Sequence, residues 1–226
     1  RKGLREMDKH EDTLLWYTSD NGGLKPNSMG GLSGKKGNLL EGGIRVPAIL
    51  EWPAKIPEPR TSSAPCNTSD FYPTLLELAG VPLPKGQPPL DGISLVPLIE
   101  GKTDIRKKAM GFWDFPAPGR SRRARAMLES LRKEQQAGEV KPAPKEGHVE
   151  KQYSTKSFPG SVAWIDGDWK LLRSKGAPKL FNLSKDSAEK NDMAGKHPEK
   201  VADMQKALLT WQKSVTHSLN GEDYKK

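Results

Sequence analysis

Cysteine is nearly absent from this sequence. Cys66 stands alone among 226 residues, so no disulfide closes within the chain and no cysteine-based zinc cluster is available. Long apolar runs are missing as well. None approaches the ~18 consecutive apolar residues that a membrane span requires, which excludes a transmembrane helix. Aromatic residues make up only 7% and hydrophobic residues 34%, against 22 glycines and 19 prolines. That balance supports a core, but a thin one threaded by many loops. The opening Arg1-Lys2-Gly3-Leu4 has neither an initiator methionine nor an apolar leader. It reads as a cut inside a longer protein and leaves the compartment unspecified.

What the chain has in excess is positive charge. Lys plus Arg number 37 and Asp plus Glu 28, a net charge of +9. The densest stretch is Arg120, Arg122, Arg123 and Arg125, followed by Arg132 and Lys133, with Glu129 and Glu134 interleaved. Such a run reads as a solvated helix face. It holds no aromatic residue on which a base would stack, so nucleic acid is not the expected partner. Attraction of an anionic substrate is the better use of this charge.

Periodicity divides the chain in two. Residues 1–10 end a helix. Thr13–Ser19 is short, apolar and β-branched, the pattern of a buried parallel strand. Asp20-Asn21-Gly22-Gly23 then turns the chain into a long glycine-studded loop. A second strand is expected over Gly43–Trp52, with Pro47 marking an edge or bulge. Asn67-Thr68-Ser69 caps a helix to about Ala79 that carries Phe71, Leu75 and Leu78 on one face and stops at Gly80. Ser94–Ile99 adds a helical turn or two. Beyond residue 105 the chain becomes polar and proline-punctuated: a strand is expected over Ala109–Phe112 and a helix near Arg122–Gln136, and residues 114–160 read as an insertion. Val162–Ile165 and Trp169–Arg173, joined by Asp166-Gly167, form a hairpin with a type I′ turn. Lys179–Leu183 adds a third strand. A helix over Pro198–Val215 carries a stripe of Val201, Met204, Leu208, Trp211 and Val215, and the tail from His217 is expected to fray. The fold class is therefore α/β over residues 1–105, a connector over 106–160, and a small α+β subdomain of antiparallel strands plus a helix over 161–226.

The chemistry concentrates early. Asp20 and Asn21 follow a strand, where ligands collect in α/β sheets. A carboxylate beside an amide oxygen suits a hard cation such as Ca²⁺ or Mg²⁺, although Asp-Asn-Gly also builds ordinary turns. Gly34-Lys35-Lys36-Gly37 and Glu41-Gly42-Gly43 place lysine on backbone that can approach a ligand closely. An ammonium group suits an anionic tetrahedral partner. Composition leaves open whether Lys35 or Lys36 faces it.

These motifs together resemble a known family. Thr18-Ser19-Asp20-Asn21-Gly22, then Gly34-Lys35-Lys36-Gly37-Asn38-Leu39-Leu40-Glu41-Gly42-Gly43-Ile44-Arg45-Val46-Pro47, then Trp52-Pro53, are similar to the second half of formylglycine-dependent, arylsulfatase-like sulfatases of the alkaline-phosphatase-like superfamily. Ser69–Thr74, Leu90–Leu95, Trp169-Lys170-Leu171 and Leu180–Leu183 continue the likeness. The resemblance implies the latter half of an alkaline-phosphatase-like parallel-sheet domain. It implies that Asp20 and Asn21 ligate Ca²⁺, and its register selects Lys36 as the sulfate-contacting residue. Glu41 and Arg45 would brace the loop and strand. In the family a formylglycine hydrate attacks sulfur, the alcohol leaves, and sulfate is then eliminated. Metal and lysine would stabilise charge on the sulfate oxygens.

The nucleophile motif, Cys-x-Pro/Ala-x-Arg, is not here: Cys66 lies in Ala64-Pro65-Cys66-Asn67-Thr68 and reads as a plain loop residue. The paired early aspartates are absent, and His10, His148, His197 and His217 match no catalytic histidine position of the family. The expectation is a C-terminal portion of a sulfatase, inactive alone, whose missing N-terminal half carries formylglycine and whose substrate is a sulfate ester. Sulfated polysaccharide suits the basic composition, with Trp113, Phe115 and Trp164 read as exposed beside the cleft. Two alternatives stand beside it: a phosphoryl-transferring relative on the same fold, disfavoured by the lack of nearby histidine, and a non-catalytic module that binds anionic carbohydrate. The resemblance implies export to the periplasm or exterior, with Asn67 and Asn182 in sequons.

Overall fold

A computed structural model describes residues 1–25, 28–116, 120–138 and 152–224, excluding the side chains of residues 120–125 and 127. Residues 117–119 and 139–151 of the expected insertion over 114–160, and His148 with them, lie outside the described residues. The elements in chain order are α1 Lys2–Glu6, β1 Leu15–Thr18, α2 Glu41–Ile44, β2 Ala48–Glu51, α3 Phe71–Leu78, α4 Val96–Ile99, β3 Met110–Asp114, α5 Arg120–Ala137, β4 Ser161–Asp166, β5 Trp169–Arg173, β6 Lys179–Asn182 and α6 Pro198–Leu219.

β1 is not a buried parallel strand within this chain. It pairs antiparallel with β2, Trp16 opposite Leu50 and Tyr17 opposite Ile49. Alternation puts Trp16 on one face, where its ring lies 4.2 Å from Phe71, and Leu15, Tyr17 and Ile49 on the other, exposed. β2 is also shorter than the expected strand, because Glu41–Ile44 closes as a helical turn before Pro47.

α3 begins as expected. Asn67 accepts from the Ser69 N–H, and the Asp70 carboxylate accepts from the Asn67 N–H, a reciprocal cap. The buried side of this helix differs from the expected Phe71–Leu75–Leu78 stripe. Leu75 is exposed, and the fully buried residues are Asp70 and Thr74. Asp70 is a polar hub. Its two oxygens accept from Arg106 Nη1 at 2.7 Å and Nη2 at 3.0 Å, and Oδ1 also accepts from the Ile93 N–H at 2.8 Å. Thr74 Oγ1 accepts from the Leu95 N–H. One carboxylate thereby ties α3 to the segment before α4 and to the entry of β3.

The C-terminal sheet has four strands rather than three, in the order β3-β4-β5-β6, all antiparallel. The extra strand is β3. The β4–β5 loop is Gly167-Asp168, with Asp166 opposite Trp169. Gly167 has φ +54°, whereas the only described non-glycine residues at positive φ are Asp8 and Glu189. Positive φ at the first central residue alone belongs to a type II′ turn, not the expected type I′. Helix α6 lays Val201, Met204 and Leu208 on Val162, Leu171 and Leu180 to form the core. It runs past the expected end. Gln212 and Thr216 are buried, and Asn220 exchanges two hydrogen bonds with the Tyr153 backbone, so the chain beyond His217 is fastened rather than frayed. Trp113, Phe115 and Trp164 are half-buried in an aromatic cluster with Trp211 and Tyr153 rather than exposed, and Trp164 with Trp211 lines a small cavity bounded by Asn67, Asp91 and Lys108.

Candidate functional site

The loop from Asp20 to Gly43 folds by backbone contacts that its glycines permit. The Gly22 N–H donates to the Gly43 carbonyl at 2.9 Å, the Gly42 N–H to Ser33 at 2.7 Å, and the Lys36 N–H to Gly23 at 2.9 Å. A Cβ on Gly22 would sit 1.8 Å from the Gly42 carbonyl oxygen, and one on Gly42 would sit 2.5 Å from that of Ser33. No side chain fits either position without moving backbone. The sequence pattern makes Gly22 part of a turn and Gly42 part of a backbone open to a ligand; the observed use of both is close approach of one loop strand to another.

The result brings Lys36 back to the Asp20-Asn21 turn through its bond to Gly23. Asp20 and Lys36 are exposed, and Asn21 is half-buried, its side-chain amide donating to the Gly22 carbonyl at 3.0 Å. Asn21 Oδ1 and the Asp20 carboxylate make no hydrogen bond or ion pair to other described residues. Lys35, the neighbouring candidate, has its N–H engaged by Asn38 Oδ1 at 3.2 Å and an exposed side chain.

For a metal, the donor chemistry is right and the donor number is small. Two oxygen-bearing side chains suit Ca²⁺ or Mg²⁺, which take six or more oxygen ligands. Among the described residues, no group of three or more His, Cys, Asp or Glu side chains could hold a metal ion. Asp20 and Asn21 can thus form part of a hard-cation site and not a complete one. Cys66 is an exposed free thiol with no bridge.

Glu41, expected to brace the loop, does so against the C-terminal sheet. It is buried, and its Oε1 accepts from Lys170 Nζ at 2.9 Å. Lys170 is fully buried on β5, and its Nζ also lies 2.8 Å from Glu189 Oε1. The second Glu189 oxygen accepts from the Glu41 N–H at 2.6 Å. Burial pushes the Glu189 carboxyl above its ordinary range, and the Lys170 ammonium only partly opposes this. Arg45 approaches the same Glu41 carboxylate at 3.9 Å from an exposed position. The sequence places Lys170 in a strand motif without showing its buried ion pairs, and nothing in it marks Glu189. Lys170 occupies an inward position of a strand, where a lysine is unusual, and that anomaly was the available signal.

Comparison with known proteins places these features. Residues 1–81 match the Sulfatase family model. The chain is 40% identical over 110 residues to human (Homo sapiens) steryl-sulfatase, covering 44% of this chain and 19% of that protein. It is 34% identical over 216 residues to dog (Canis lupus familiaris) arylsulfatase G, covering 83% of this chain and 36% of that protein. The chain thus spans well under half the length of these curated relatives. Among solved structures, Ps i-CgsB in complex with k-i-k-neocarrahexaose superposes with TM-score 0.67 at 22% identity, covering 97% of this chain and 43% of that one. A sulfatase from Pseudoalteromonas sp. superposes with TM-score 0.61 at 21% identity, covering 96% of this chain and 40% of that one. These superpositions show the fold, which is of the alkaline-phosphatase-like α/β class. The ordered Asp-Asn-Gly and Lys-to-Glu-Gly-Gly motifs, the loop cradle they build and the agreement with the family model lead to one assignment: the chain belongs to the sulfatase family.

Proposed function

We propose that this chain is the C-terminal portion of a sulfate-ester hydrolase, supplying Lys36 to the sulfate and Asp20 and Asn21 to a Ca²⁺ or Mg²⁺ site, while the formylglycine nucleophile lies on upstream polypeptide. The observation that carries this reading is the backbone bond from Lys36 to Gly23, which holds the lysine loop against the Asp20-Asn21 turn. A sulfate monoester is an anion that repels nucleophiles. An ammonium group carried on backbone fixed near an oxygen-donor turn would offset that repulsion and stabilise charge on the sulfate oxygens as the S–O bond breaks. A divalent cation bound at the turn would add Lewis-acid stabilisation. Asp20 and Asn21 would orient it, and Lys36 would orient the anion.

The substrate class is a sulfate ester, with sulfated carbohydrate favoured by the net charge of +9. The exposed face of β1 and β2, with Tyr17 at 62% and Ile49 at 61% relative exposure, supports a partner surface for the upstream half of the same protein. Among the described residues no helix is long and apolar enough to cross a membrane, and export to the periplasm or exterior accompanies the family reading. A phosphoryl-transferring site would need a clustered set of His and Asp ligands, and the described residues hold none.

The test is Lys36→Ala in the full-length protein, assayed on an aryl sulfate. The expected fall in kcat/KM is on the order of 10²–10³, as for loss of one charge-stabilising donor. An unchanged value removes Lys36 from the site. The 226 residues expressed alone are expected to show no turnover.

A further inference from the structure

Three carboxylate and ammonium groups far apart in sequence meet in the interior beneath the Lys36 loop. Glu41 comes from that loop, Lys170 from β5, and Glu189 from the segment between β6 and α6. Burying two carboxylates with a single lysine is a costly arrangement, and apolar packing would serve stability at least as well. Glu189 adds a second anomaly. Its φ is +55°, a left-handed conformation that a non-glycine side chain adopts only when its surroundings impose it. In that conformation its carboxylate bridges Lys170 Nζ and the Glu41 N–H, the first N–H of α2. One residue before it, the Ala188 carbonyl accepts from Ser33 Oγ at 2.5 Å. The segment 188–189 therefore grips the loop at both of its shoulders, Ser33 and Glu41. These same two residues flank Lys36.

We propose that Glu189 and Lys170 are positioning residues for Lys36: they clamp the two ends of the Ser33–Glu41 loop onto the C-terminal sheet and so fix where the ammonium group stands. The strained backbone of Glu189 and the buried charge serve placement rather than stability. This inference rests on the reading of Lys36 as the sulfate contact. Neither residue touches substrate; both act through the loop. The C-terminal sheet thereby becomes part of the catalytic apparatus rather than an appended module.

The test uses the full-length protein with Glu189→Ala, Glu189→Gln, Ser33→Ala and Lys36→Ala. In Glu189→Ala, amide hydrogen exchange over residues 33–43 is expected to quicken while residues 161–182 keep their protection. Its kcat/KM on an aryl sulfate is expected to fall about tenfold through misplacement of the lysine. Glu189→Gln is expected to restore both, because its amide oxygen still accepts from the Glu41 N–H. In a Lys36→Ala background, Glu189→Ala is expected to cost nothing more, because the two act through one group. Ser33→Ala gives a milder version of the same pattern if Glu189→Ala does not fold. Unchanged exchange over 33–43 in the folded variants overturns the clamp. An equal fold-loss with and without Lys36 overturns its action through that lysine. If Lys36→Ala alone leaves kcat/KM at the wild-type value, the sulfate reading fails and the positioning role falls with it. Exchange alone then still reports whether the clamp holds the loop.

Discussion

Asp20 carries an exposed carboxylate with no protein partner among the described residues, beside an amide oxygen that is equally free. A side chain in that state breaks no protein contact when it ligates a cation, so its removal should be visible as lost metal linkage rather than lost packing. Asp20→Ala in the full-length protein is expected to abolish the calcium-dependent rise in melting temperature, a stabilisation that reaches about 2.7 kcal/mol when calcium is a hundredfold above its dissociation constant. A calcium shift equal to that of the unsubstituted protein takes Asp20 off the metal. Glu189 is the opposite case, a carboxyl deprived of water. Burial raises its pKa from the ordinary 4.5. Between the two values the folded chain binds more protons than the unfolded chain. Its contribution to stability is therefore fully present below 4.5 and is lost as pH climbs through the raised pKa. Melting curves across that window should decline for the wild type and stay flatter for Glu189→Gln; parallel declines contradict the assignment.

Between elements, the Asp70–Arg106 pair joins α3, the approach to α4 and the start of β3. Arg106 is 3% exposed at its side chain and Asp70 0%, so the pair is out of water and both oxygens of the carboxylate are committed. Arg106→Met leaves a buried carboxylate without its counter-charge and should destabilise by about 3–5 kcal/mol, read from urea unfolding. A cost below about 1 kcal/mol would mean water reaches Asp70. The elements themselves show where sequence patterns lead and where they mislead. The α6 stripe at 3–4 spacing is the packed face, because one helix side meets one sheet face. On α3 the expected apolar stripe gave way to Asp70 and Thr74. The helix there is held by hydrogen bonds to neighbouring backbone, and polar residues carrying internal partners outrank leucine at the contact. On β5, Lys170 broke the inward apolar pattern for the same reason.

For the molecule as a whole, the two-stranded β1–β2 sheet leaves Leu15, Tyr17 and Ile49 in solvent on one face. The 226 residues alone are therefore expected to bind a hydrophobic dye strongly, and the full-length protein to bind it weakly. Equal dye binding would mean that this face is not a covered surface. Trp211 on α6 donates to Asp91 Oδ1 at 3.0 Å, and the Lys170 clamp reaches Glu41. Both contacts fasten the C-terminal sheet to the earlier half of the chain.

Short-range chemistry was decided by the sequence: the Asn67 cap, the hairpin at Asp166-Gly167, the α6 stripe, and an Asp-Asn turn with a lysine loop that together mark the family. Each depends on residues within a few positions of one another, or on motifs in fixed order. Partners separated by long stretches were decided only by the tertiary structure. Those are the antiparallel mate of β1, the joining of the expected strand β3 to the C-terminal sheet, and the meeting of Glu41 with Lys170 and Glu189 across well over a hundred residues. No local propensity encodes such a meeting. Glu41 and Glu189 look like ordinary surface residues, and Lys170 like an isolated oddity of its strand, until burial removes water and brings the three together.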